Sequence, residues 1–325
     1  MDIVCLGELL VDMFPAEVGR RLIEVSAFRP KPGGAPANVA VAAARLGARS
    51  AFIGKVGDEA FGHHLAEILR QEGVDIRGVR FDQEARTGMA FIAMPDENTA
   101  EILFYRNPGA DMRLRVDELH RELLGQARAF HFGSLSLIQE PSRSATMEAA
   151  SIARRADALI SFDVNYRSDL WSQSEARDRV MDTIPHVNLL KVNEVELVLL
   201  TGSRDPAAAA KVLLEQGPDL CVVTLGPEGS FFQVADGGEH VTAFAVHTVD
   251  ATGCGDAFVA GLIHQLVVGG NWRDRLSPAQ LRKILLYANA AGALTAQTQG
   301  VIPALPTAAE VEAFLSRYDH STEST

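Results

Sequence analysis

The chain has 325 residues and a mass of 35.0 kDa, which suits one large α/β domain or roughly two average domains. Its composition, 47% hydrophobic and 22% charged, is typical of a globular protein and excludes a disordered chain. The formal net charge of −12 has the wrong sign for general binding to nucleic acid or to an anionic membrane.

Short apolar runs alternate with helical patterns along most of the chain. The runs predict strands at residues 3–7, 50–57, 129–135, 158–164, 188–193 and 220–226. A 3.6-residue periodicity predicts helices at residues 38–46, 62–72, 144–155, 194–200, 206–215, 256–268, 278–294 and 307–317. This alternation predicts an α/β fold, with a mainly parallel sheet covered by helices on both faces.

Two segments interrupt the alternation. Residues 8–32 show no helical pattern, and residues 87–106 contain two extended runs, GMAFIAM and AEILFYR, around a predicted turn at 95–98. Strands without an intervening helix predict a small antiparallel flap inserted in a single domain that spans residues 1–325. An open strand edge or apolar face on that flap favours a homodimer. We expect residues 319–325 to be a frayed terminus.

The N-terminus and the cysteines bear on location. Asp2, Glu8 and Asp12 stand in an N-terminal segment without a basic region, so it resembles a first core strand more than a signal peptide. No apolar run approaches the ~18 residues of a membrane span. The three cysteines form no CxxC pair, and the nine histidines lack metal-ligand spacing. We therefore expect a cytoplasmic protein without a disulfide framework or a zinc site.

The stretch DATGCGDAFVAGLI at residues 250–263 is the most informative one. Gly253 and Gly255 lead into an apolar helix, and glycine turns let successive N–H groups point the same way. Because the helix dipole adds about half a positive charge there, this turn predicts an anion site suited to phosphate. Asp256 either caps the helix or accepts a proton from a hydroxyl that attacks the phosphate, and the local pattern leaves both open.

A second glycine-containing stretch, KPGGAPAN at residues 31–38, also precedes a predicted helix. Asn38 carries a donor and an acceptor suited to a sugar hydroxyl, although it could equally cap the helix behind a simple turn. The chain has neither a GxxxxGK[ST] loop nor a GxGxxG turn that opens a helix. A P-loop ATPase and a dinucleotide dehydrogenase are therefore poor fits.

Together, GGAPAN at 33–38 and DATGCGD at 250–256 resemble, in order and separation, the two signature regions of the pfkB (ribokinase-like) sugar kinase family. NEVE at 193–196 resembles its NxxE element, and TLGPEG at 224–229 its nucleotide loop. The resemblance covers residues 3 to about 317 and is greatest to the fructokinase branch, through GELLVDMFP, FDVNYR and FYRNPGADM among other segments. Ala251 and Cys254 depart from the usual signature but preserve its glycines.

This resemblance implies a ribokinase-like three-layer αβα fold with a small β lid formed by about residues 8–32 and 87–106. It also implies transfer of the γ-phosphate of ATP to the 6-hydroxyl of fructose, with Asp256 as general base. The phosphoryl group would be held by the amides of Gly253, Cys254, Gly255 and Asp256. The implied sugar contacts are Asp12, Gly33, Gly34, Asn38, Arg106, Asn165 and Arg167.

The resemblance further assigns the nucleotide, Mg²⁺ and monovalent-cation positions. The residues implied for ATP and its Mg²⁺ are Asn193, Glu196, Thr224, Gly226, Gly229 and Asn289. Those implied for a K⁺ ion are Asp250, Thr252, Ala296 and Gln299.

Three alternatives stay open on the sequence alone. One substrate is 2-keto-3-deoxygluconate, whose carboxylate could bind Arg106 or Arg167. Another is a different pfkB substrate, such as a nucleoside. A nucleoside usually needs an aromatic side chain to stack on, and none is evident in a chain with 6% aromatic residues. A non-catalytic nucleotide-binding scaffold conflicts with the intact Asp256 and its flanking glycines. We favour fructose, from the FYRNPGADM and SLIQEP segments.

Overall fold

The computed structural model describes residues 1–17, 19–96 and 101–322 and builds them around two sheets. The strands, in chain order, are β1 Ile3–Leu6, β2 Leu10–Pro15, β3 Phe28–Gly33, β4 Ser50–Gly57, β5 Asp75–Asp82, β6 Met89–Ala93, β7 Glu101–Tyr105, β8 Ala129–Gly133, β9 Leu159–Asp163, β10 Leu189–Asn193, β11 Leu220–Thr224, β12 Ser230–Val234 and β13 Gly237–Val241. The helices are α1 Ala35–Arg45, α2 Ala60–Gln71, α3 Arg121–Gly125, α4 Ser142–Arg155, α5 Gln173–Thr183, α6 Glu194–Thr201, α7 Pro206–Leu214, α8 Cys254–Val267, α9 Pro278–Thr295 and α10 Ala308–Thr322.

The large sheet has nine strands in the order β13-β12-β11-β10-β9-β8-β1-β4-β5. All neighbours are parallel except β11–β12 and β12–β13, which are antiparallel. The strands at its centre are buried along their whole length, which explains their continuous apolar runs. The predicted mainly parallel α/β sheet is confirmed.

Alternate residues of β1 point into two different cores. Ile3 and Cys5 join the core that α1, α2, α8 and α9 cover, while Val4 and Leu6 join the core under α3, α4, α6 and α7. Successive side chains of a strand point to opposite faces, so a strand covered by helices on both sides must be apolar throughout. The result is the expected three-layer αβα arrangement.

The small sheet has four strands in the order β3-β2-β6-β7. The pairs β2–β3 and β6–β7 are antiparallel, but β2 and β6 are parallel, so the expectation of a purely antiparallel flap is wrong. The reason is geometric: β2 follows β1 and β6 follows β5, and both leave the large sheet at its carboxyl edge, so they enter the small sheet in the same direction. Part of the turn predicted at 95–98 lies outside the described residues.

Several elements are absent from the prediction, two of them because their sequences are polar. Strand β5, DIRGVRFD, is an edge strand that carries Arg77 and Arg80, and α5, QSEARDRVMDT, has few apolar residues. Short α3 and the β12–β13 hairpin were also not predicted. The backbone of α10 is helical to Thr322, so the fraying expected from residue 319 is wrong as far as residue 322. Residues 323–325 lie outside the description.

Within the described ranges, no helix combines the length and the apolar character needed to cross a membrane.

Candidate active site

The predicted site residues lie at one edge of the large sheet. Strands β1 and β8 to β11 run parallel, so their carboxyl ends, and the loops that follow them, meet at the same edge. In the large sheet, β4 and β5 lie on one side of β1, whereas β8 and β9 lie on its other side. Ligands of open α/β sheets bind outside the carboxyl ends of the strands at such a reversal of strand order.

The start of α8 supplies free backbone donors at this edge. Gly253 has a φ of +82°, and a Cβ there would lie 2.5 Å from Cγ1 of Val301, so both backbone geometry and space require glycine. Of the four amides predicted to hold an anion, that of Cys254 donates to the carbonyl of Ala251. The amides of Gly253, Gly255 and Asp256 have no acceptor among the described residues. Three N–H groups at a helix start therefore remain for an anion.

Asp256 stands in the first turn of α8, and Asn38 of α1 holds its carboxylate. The Nδ2 atom of Asn38 donates to Oδ2 of Asp256 across 2.8 Å. Burial raises the pKa of Asp256 to about 7; Asp163 raises it further, whereas Asn38, Arg167 and Lys191 lower it. Asn38 lies inside α1, which starts at Ala35, so the reading of Asn38 as a helix cap is wrong. A carboxyl with a pKa near neutrality is suited to general base catalysis.

Three charged residues and one amide lie at the ends of β9 and β10 and the start of α6. This group, which we call the strand-end cluster, comprises Asp163, Lys191, Asn193 and Glu196. Lys191 Nζ lies 3.1 Å from both carboxylate oxygens of Asp163, and both side chains are buried. Burial disfavours the ammonium form, but Asp163 and Glu196 outweigh it and raise the pKa of Lys191. A Cβ on Gly255 would lie 3.7 Å from this Nζ, so the ammonium group adjoins the anion site.

Glu196 and Asn193 of the strand-end cluster form hydrogen bonds with nearby backbone amides. Glu196 accepts hydrogen bonds from the amides of Asn193 and Tyr166, each at 2.8 Å. Asn193 Oδ1 in turn accepts from the amide of Glu196 at 2.9 Å, which completes a capping box at the start of α6. Asp163 Oδ1 accepts from the amide of Asn165, whose φ is +40°. The cluster therefore fixes the backbone that presents Asn165 and Arg167.

The two positions of the GGAPAN motif that carry glycine have no room for a side chain, because other residues lie too close to them. A Cβ on Gly33 would collide with the carboxylate of Asp12, and one on Gly34, whose φ is +108°, would collide with the carbonyl of Glu8. Asp12 and Gly33 therefore lie side by side at the junction of the two sheets. Burial raises the pKa of Asp12 to about 7, with Glu8 raising and Arg167 lowering it.

A second charged group, which we call the junction cluster, comprises Glu8, Arg106 and Asp111 where the small sheet meets the large one. Arg106 is ion-paired with Asp111, and Glu8 Oε1 accepts from the amide of Ala35 at 3.0 Å. Burial raises the pKa of Glu8 to about 7, with Arg106 lowering and Asp111 raising it. All three side chains are buried.

The junction cluster and its neighbour Asn38 carry unpaired polar atoms. In these four residues, the buried atoms that have no partner among the described residues are Glu8 Oε2, Asn38 Oδ1, Arg106 Nε, Arg106 Nη1 and Asp111 Oδ1. Buried polar groups left unpaired cost about 1–3 kcal/mol each, so natural proteins rarely keep them without a ligand or water. A polyol, which both donates and accepts hydrogen bonds, matches this mixture of donors and acceptors.

The sequence reasoning did not assign Glu8, Asp111, Asp163 or Lys191 to the site. The signal for Glu8 is an acidic residue directly after an apolar strand, and that for Lys191 a lysine inside the apolar run NLLKVN. A charged residue in a fully buried strand needs a partner, and here the partner of Lys191 is at the end of the neighbouring strand. Asp111 gives no such local signal, because its partner Arg106 is brought to it by the intervening loop.

The residues predicted for the nucleotide lie around the end of β11 and the start of β12. Thr224 ends β11, and the amide of Leu225 donates to the carbonyl of Gly229 at 2.8 Å to close the loop. Gly229 has a φ of +105°, and a Cβ there would collide with the carbonyl of Val241. Gly226, with a φ of +55°, faces open space. Asn289 of α9 donates to that same Val241 carbonyl at 3.1 Å, so its amide nitrogen joins α9 to β13.

The residues predicted for a monovalent cation are already hydrogen bonded. The carboxylate of Asp250 accepts from the amides of Thr252 and Gly300, each at 2.9 Å. The carbonyl of Ala296 accepts from the amides of Val249 and Asp250 at 2.8 and 3.2 Å. Gln299 is exposed beside Gly300. A cation would have to compete for the Ala296 carbonyl, whereas each oxygen of Asp250 accepts one bond from a described residue and can accept a further contact. The K⁺ site stays a prediction.

A surface groove of about 620 Å³ lies between α5 and α6, lined by residues that include Arg177, Val195 and Arg204. None of the predicted site residues lines it, so we place the chemistry at the start of α8 and not in this groove.

Comparison with known proteins agrees with this geometry. The model of the pfkB family of carbohydrate kinases matches residues 1–308. A probable fructokinase-2 from Arabidopsis thaliana is 47% identical over 315 residues, which cover 96% of this chain and 95% of that protein.

Solved structures show the same likeness. The structure of a fructokinase with bound ATP from Xylella fastidiosa matches with a TM-score of 0.90 and 30% identity, covering 98% of this chain and 99% of that one. A fructokinase double mutant from Vibrio cholerae O395, with fructose, ADP and a potassium ion bound, matches with a TM-score of 0.86 and 33% identity over 97% of this chain and 98% of that one.

Proposed function

The chain belongs to the pfkB family of carbohydrate kinases, and from that premise we propose that it is a fructokinase in which Asp256 is the general base. ATP would be the phosphoryl donor and the 6-hydroxyl of fructose the acceptor. The observation that carries the proposal is the position of Asp256. Its carboxyl, whose pKa burial raises to about 7, accepts a hydrogen bond from Asn38. It lies in the first turn of α8, where three amides have no acceptor among the described residues.

The proposed reaction moves one proton and one phosphoryl group. Asp256 takes the proton of the 6-hydroxyl while that oxygen forms a bond to the γ-phosphorus, and the bond from this phosphorus to the β–γ bridging oxygen breaks to release ADP. The amides of Gly253, Gly255 and Asp256 would stabilise the transferring group, since charge develops on its oxygens. Lys191 adjoins the same turn and adds a fixed positive charge.

The residues present fit a Mg²⁺ ion that arrives with the nucleotide. The described residues contain no group of three or more His, Cys, Asp or Glu side chains that could hold a metal alone. Mg²⁺ commonly keeps several waters and binds substrate phosphates, and it would neutralise part of their charge. Each oxygen of Glu196 accepts only one backbone hydrogen bond, so both can still accept one from a metal-bound water.

For the sugar, the proposal assigns Asp12, Gly33, Gly34, Asn38 and Arg106 as contacts. Asn165 and Arg167 would complete the site from the loop after β9. The mixture of unpaired buried donors and acceptors at the junction of the two sheets supports a polyol ligand there. The small sheet would cover it as a lid, since Asp12 lies on β2 and Arg106 directly follows β7.

A homodimer and a cytoplasmic location were expected from the sequence, and both stay predictions. Leu103 and Tyr105 are exposed apolar residues on β7, an edge strand of the small sheet, which supports pairing through that sheet.

The test of the proposed function is turnover with ATP and a panel of fructose, 2-keto-3-deoxygluconate, ribose and adenosine. We expect the highest kcat/KM with fructose. In Asp256→Asn, kcat should fall by about 10²–10⁴-fold while fructose still binds, because only the base is lost. Asp274→Asn, an exposed acid after α8, is the matched control and should leave kcat unchanged. A preference for another substrate overturns fructose, and an Asp256→Asn enzyme within tenfold of wild type overturns the base.

A further inference from the structure

Arg106 is already paired with a carboxylate of the protein. It follows β7, and its Nη2 bonds Asp111, which lies in the short 3-10 turn at Ala110–Arg113. Gly109 allows this return of the chain, because a Cβ there would lie 2.5 Å from Oδ1 of Asp111 and 2.9 Å from Cβ of Arg106. Arg106 and Asp111 are only 4% and 7% exposed, so solvent screens their interaction weakly.

The junction cluster as a whole has more negative than positive charge once Glu8 is ionised. Glu8, 4% exposed, interacts electrostatically with both Arg106 and Asp111. When its carboxyl groups are ionised, the cluster has a net charge of −1, from one guanidinium and two carboxylates. Arg106 nevertheless keeps two unpaired buried donors, Nε and Nη1. The guanidinium can therefore donate to a ligand, but its charge is offset before any ligand arrives.

The other arginine that could receive an acidic sugar, Arg167, also lies near carboxyl groups of the protein. It interacts electrostatically with both Asp12 and Asp256 and lowers the pKa of each, against their burial. Of the two arginines, Arg106 is the one that forms a direct ion pair among the described residues, and its charge is therefore offset.

We propose that Asp111 is a specificity-determining residue, which neutralises Arg106 and so makes the site accept a neutral ketose and reject a sugar acid. This inference rests on the proposed sugar kinase function and deepens it. A hydroxyl or carbonyl oxygen of a neutral sugar accepts hydrogen bonds from Nε and Nη1 without adding charge. A sugar carboxylate on the same donors would come close to the carboxylates of Asp111 and Glu8, and the repulsion between like charges in a buried site would disfavour its binding.

A purely structural role for Asp111 makes a different prediction. If the ion pair only anchors the loop between β7 and the 3-10 turn, its loss weakens activity on every sugar to a similar extent. If Asp111 sets the charge preference, its loss changes the ratio between an acidic and a neutral sugar. The ratio of kcat/KM values therefore separates the two roles.

The test uses a matched pair of sugars, 2-keto-3-deoxygluconate and 3-deoxyfructose, which differ only in a carboxylate replaced by a hydroxymethyl group. The wild-type enzyme should prefer the neutral sugar by at least about tenfold in kcat/KM. In Asp111→Asn, which keeps the size and one acceptor, we expect that preference to fall at least tenfold, with a measurable gain on the acid. Asp117→Asn removes a carboxylate from an exposed pair with Arg115 and should leave the ratio unchanged.

Each further outcome decides the matter. If Asp111→Asn does not fold, Glu8→Gln removes the other carboxylate near Arg106 and should shift the ratio in the same direction. Direct binding of the two sugars to the wild-type protein requires no variant, and equal affinity for both would overturn the inference. An unchanged ratio in a folded Asp111→Asn enzyme that still phosphorylates fructose also overturns it. Wild-type preference for 2-keto-3-deoxygluconate over fructose overturns the proposed function and the inference that rests on it, whereas the two preceding outcomes overturn the inference alone.

Discussion

The strand-end cluster and the junction cluster differ in how completely their polar atoms are hydrogen bonded. In the strand-end cluster, Lys191 holds both oxygens of Asp163, and both oxygens of Glu196 accept backbone hydrogen bonds. In the junction cluster, each of the three residues keeps at least one buried atom that no described residue pairs. The charged residues of both clusters are buried, so burial alone does not explain the difference.

This difference indicates that the two clusters have different functions. A fully paired network is rigid and preorganised, which suits the side that must hold a phosphoryl group and a loop in fixed positions. Unpaired donors and acceptors remain for groups that a ligand supplies, which suits the side that recognises a sugar. Asn38 joins the two sides, because its Nδ2 holds Asp256 while its Oδ1 is unpaired.

The largest expected effect comes from removing one partner of the ion pair in the strand-end cluster. Lys191→Met should lower the free energy of unfolding by about 3–5 kcal/mol, because it leaves Asp163 buried and ionised without its partner. Denaturant titration measures this change. The double variant Lys191→Met/Asp163→Asn should recover much of the loss, and Lys211→Met, on the exposed face of α7, is the control. A loss below 1 kcal/mol in Lys191→Met would show that the pair is not fixed as described.

The junction cluster predicts an unusual pH dependence of the free energy of unfolding. Burial raises the pKa of Glu8 from about 4.5 to about 7, so the folded protein binds more protons than the unfolded chain between these pH values. The free energy of unfolding of the ligand-free protein should therefore decrease as pH rises through that window. Glu8 alone contributes about 3 kcal/mol to this decrease, from 1.36 kcal/mol per unit of pKa.

Glu8→Gln isolates that contribution. The amide keeps an acceptor for Ala35 but cannot ionise, so the stability of the variant should fall less between pH 5 and 7 than that of the wild type. Asp12 and Asp256, whose pKa values burial also raises to about 7, keep their own contributions. Identical slopes for wild type and Glu8→Gln in urea titrations across this range would contradict the prediction.

The sequence predicted most of the parallel sheet because its strands are buried on both faces and therefore continuously apolar. It also located the turn before α8, where positive φ and contact with Val301 demand glycine at position 253. It did not predict β5, because an edge strand with an exposed Arg77 and a half-buried Arg80 has no apolar run. A local sequence pattern thus predicts a strand when all of its residues are buried, and fails for a strand that mixes buried and exposed residues.

The junction cluster could not be predicted in this way. Arg106 was identified through the resemblance to sugar kinases, but its pairing with Asp111 depends on the path of the loop through Gly109. The interaction of Glu8 with both joins residues about 100 positions apart. Charge balance in a buried site is a property of tertiary structure, and a sequence shows only which charges are available.

Asn38 gives the smallest expected effect and the sharpest test of the connection between the two sides. Its hydrogen bond lowers the pKa of Asp256 against burial, so Asn38→Ala should move the acid limb of kcat/KM to higher pH by about one to two units, the value of a hydrogen bond to a charged group. Asn38→Asp should move it further, since it adds a negative charge. If Asn38 only contacted the sugar, KM would change at every pH while the midpoint of the limb stayed in place. A shifted midpoint therefore assigns Asn38 to the base, and a fixed midpoint with a raised KM assigns it to the sugar alone.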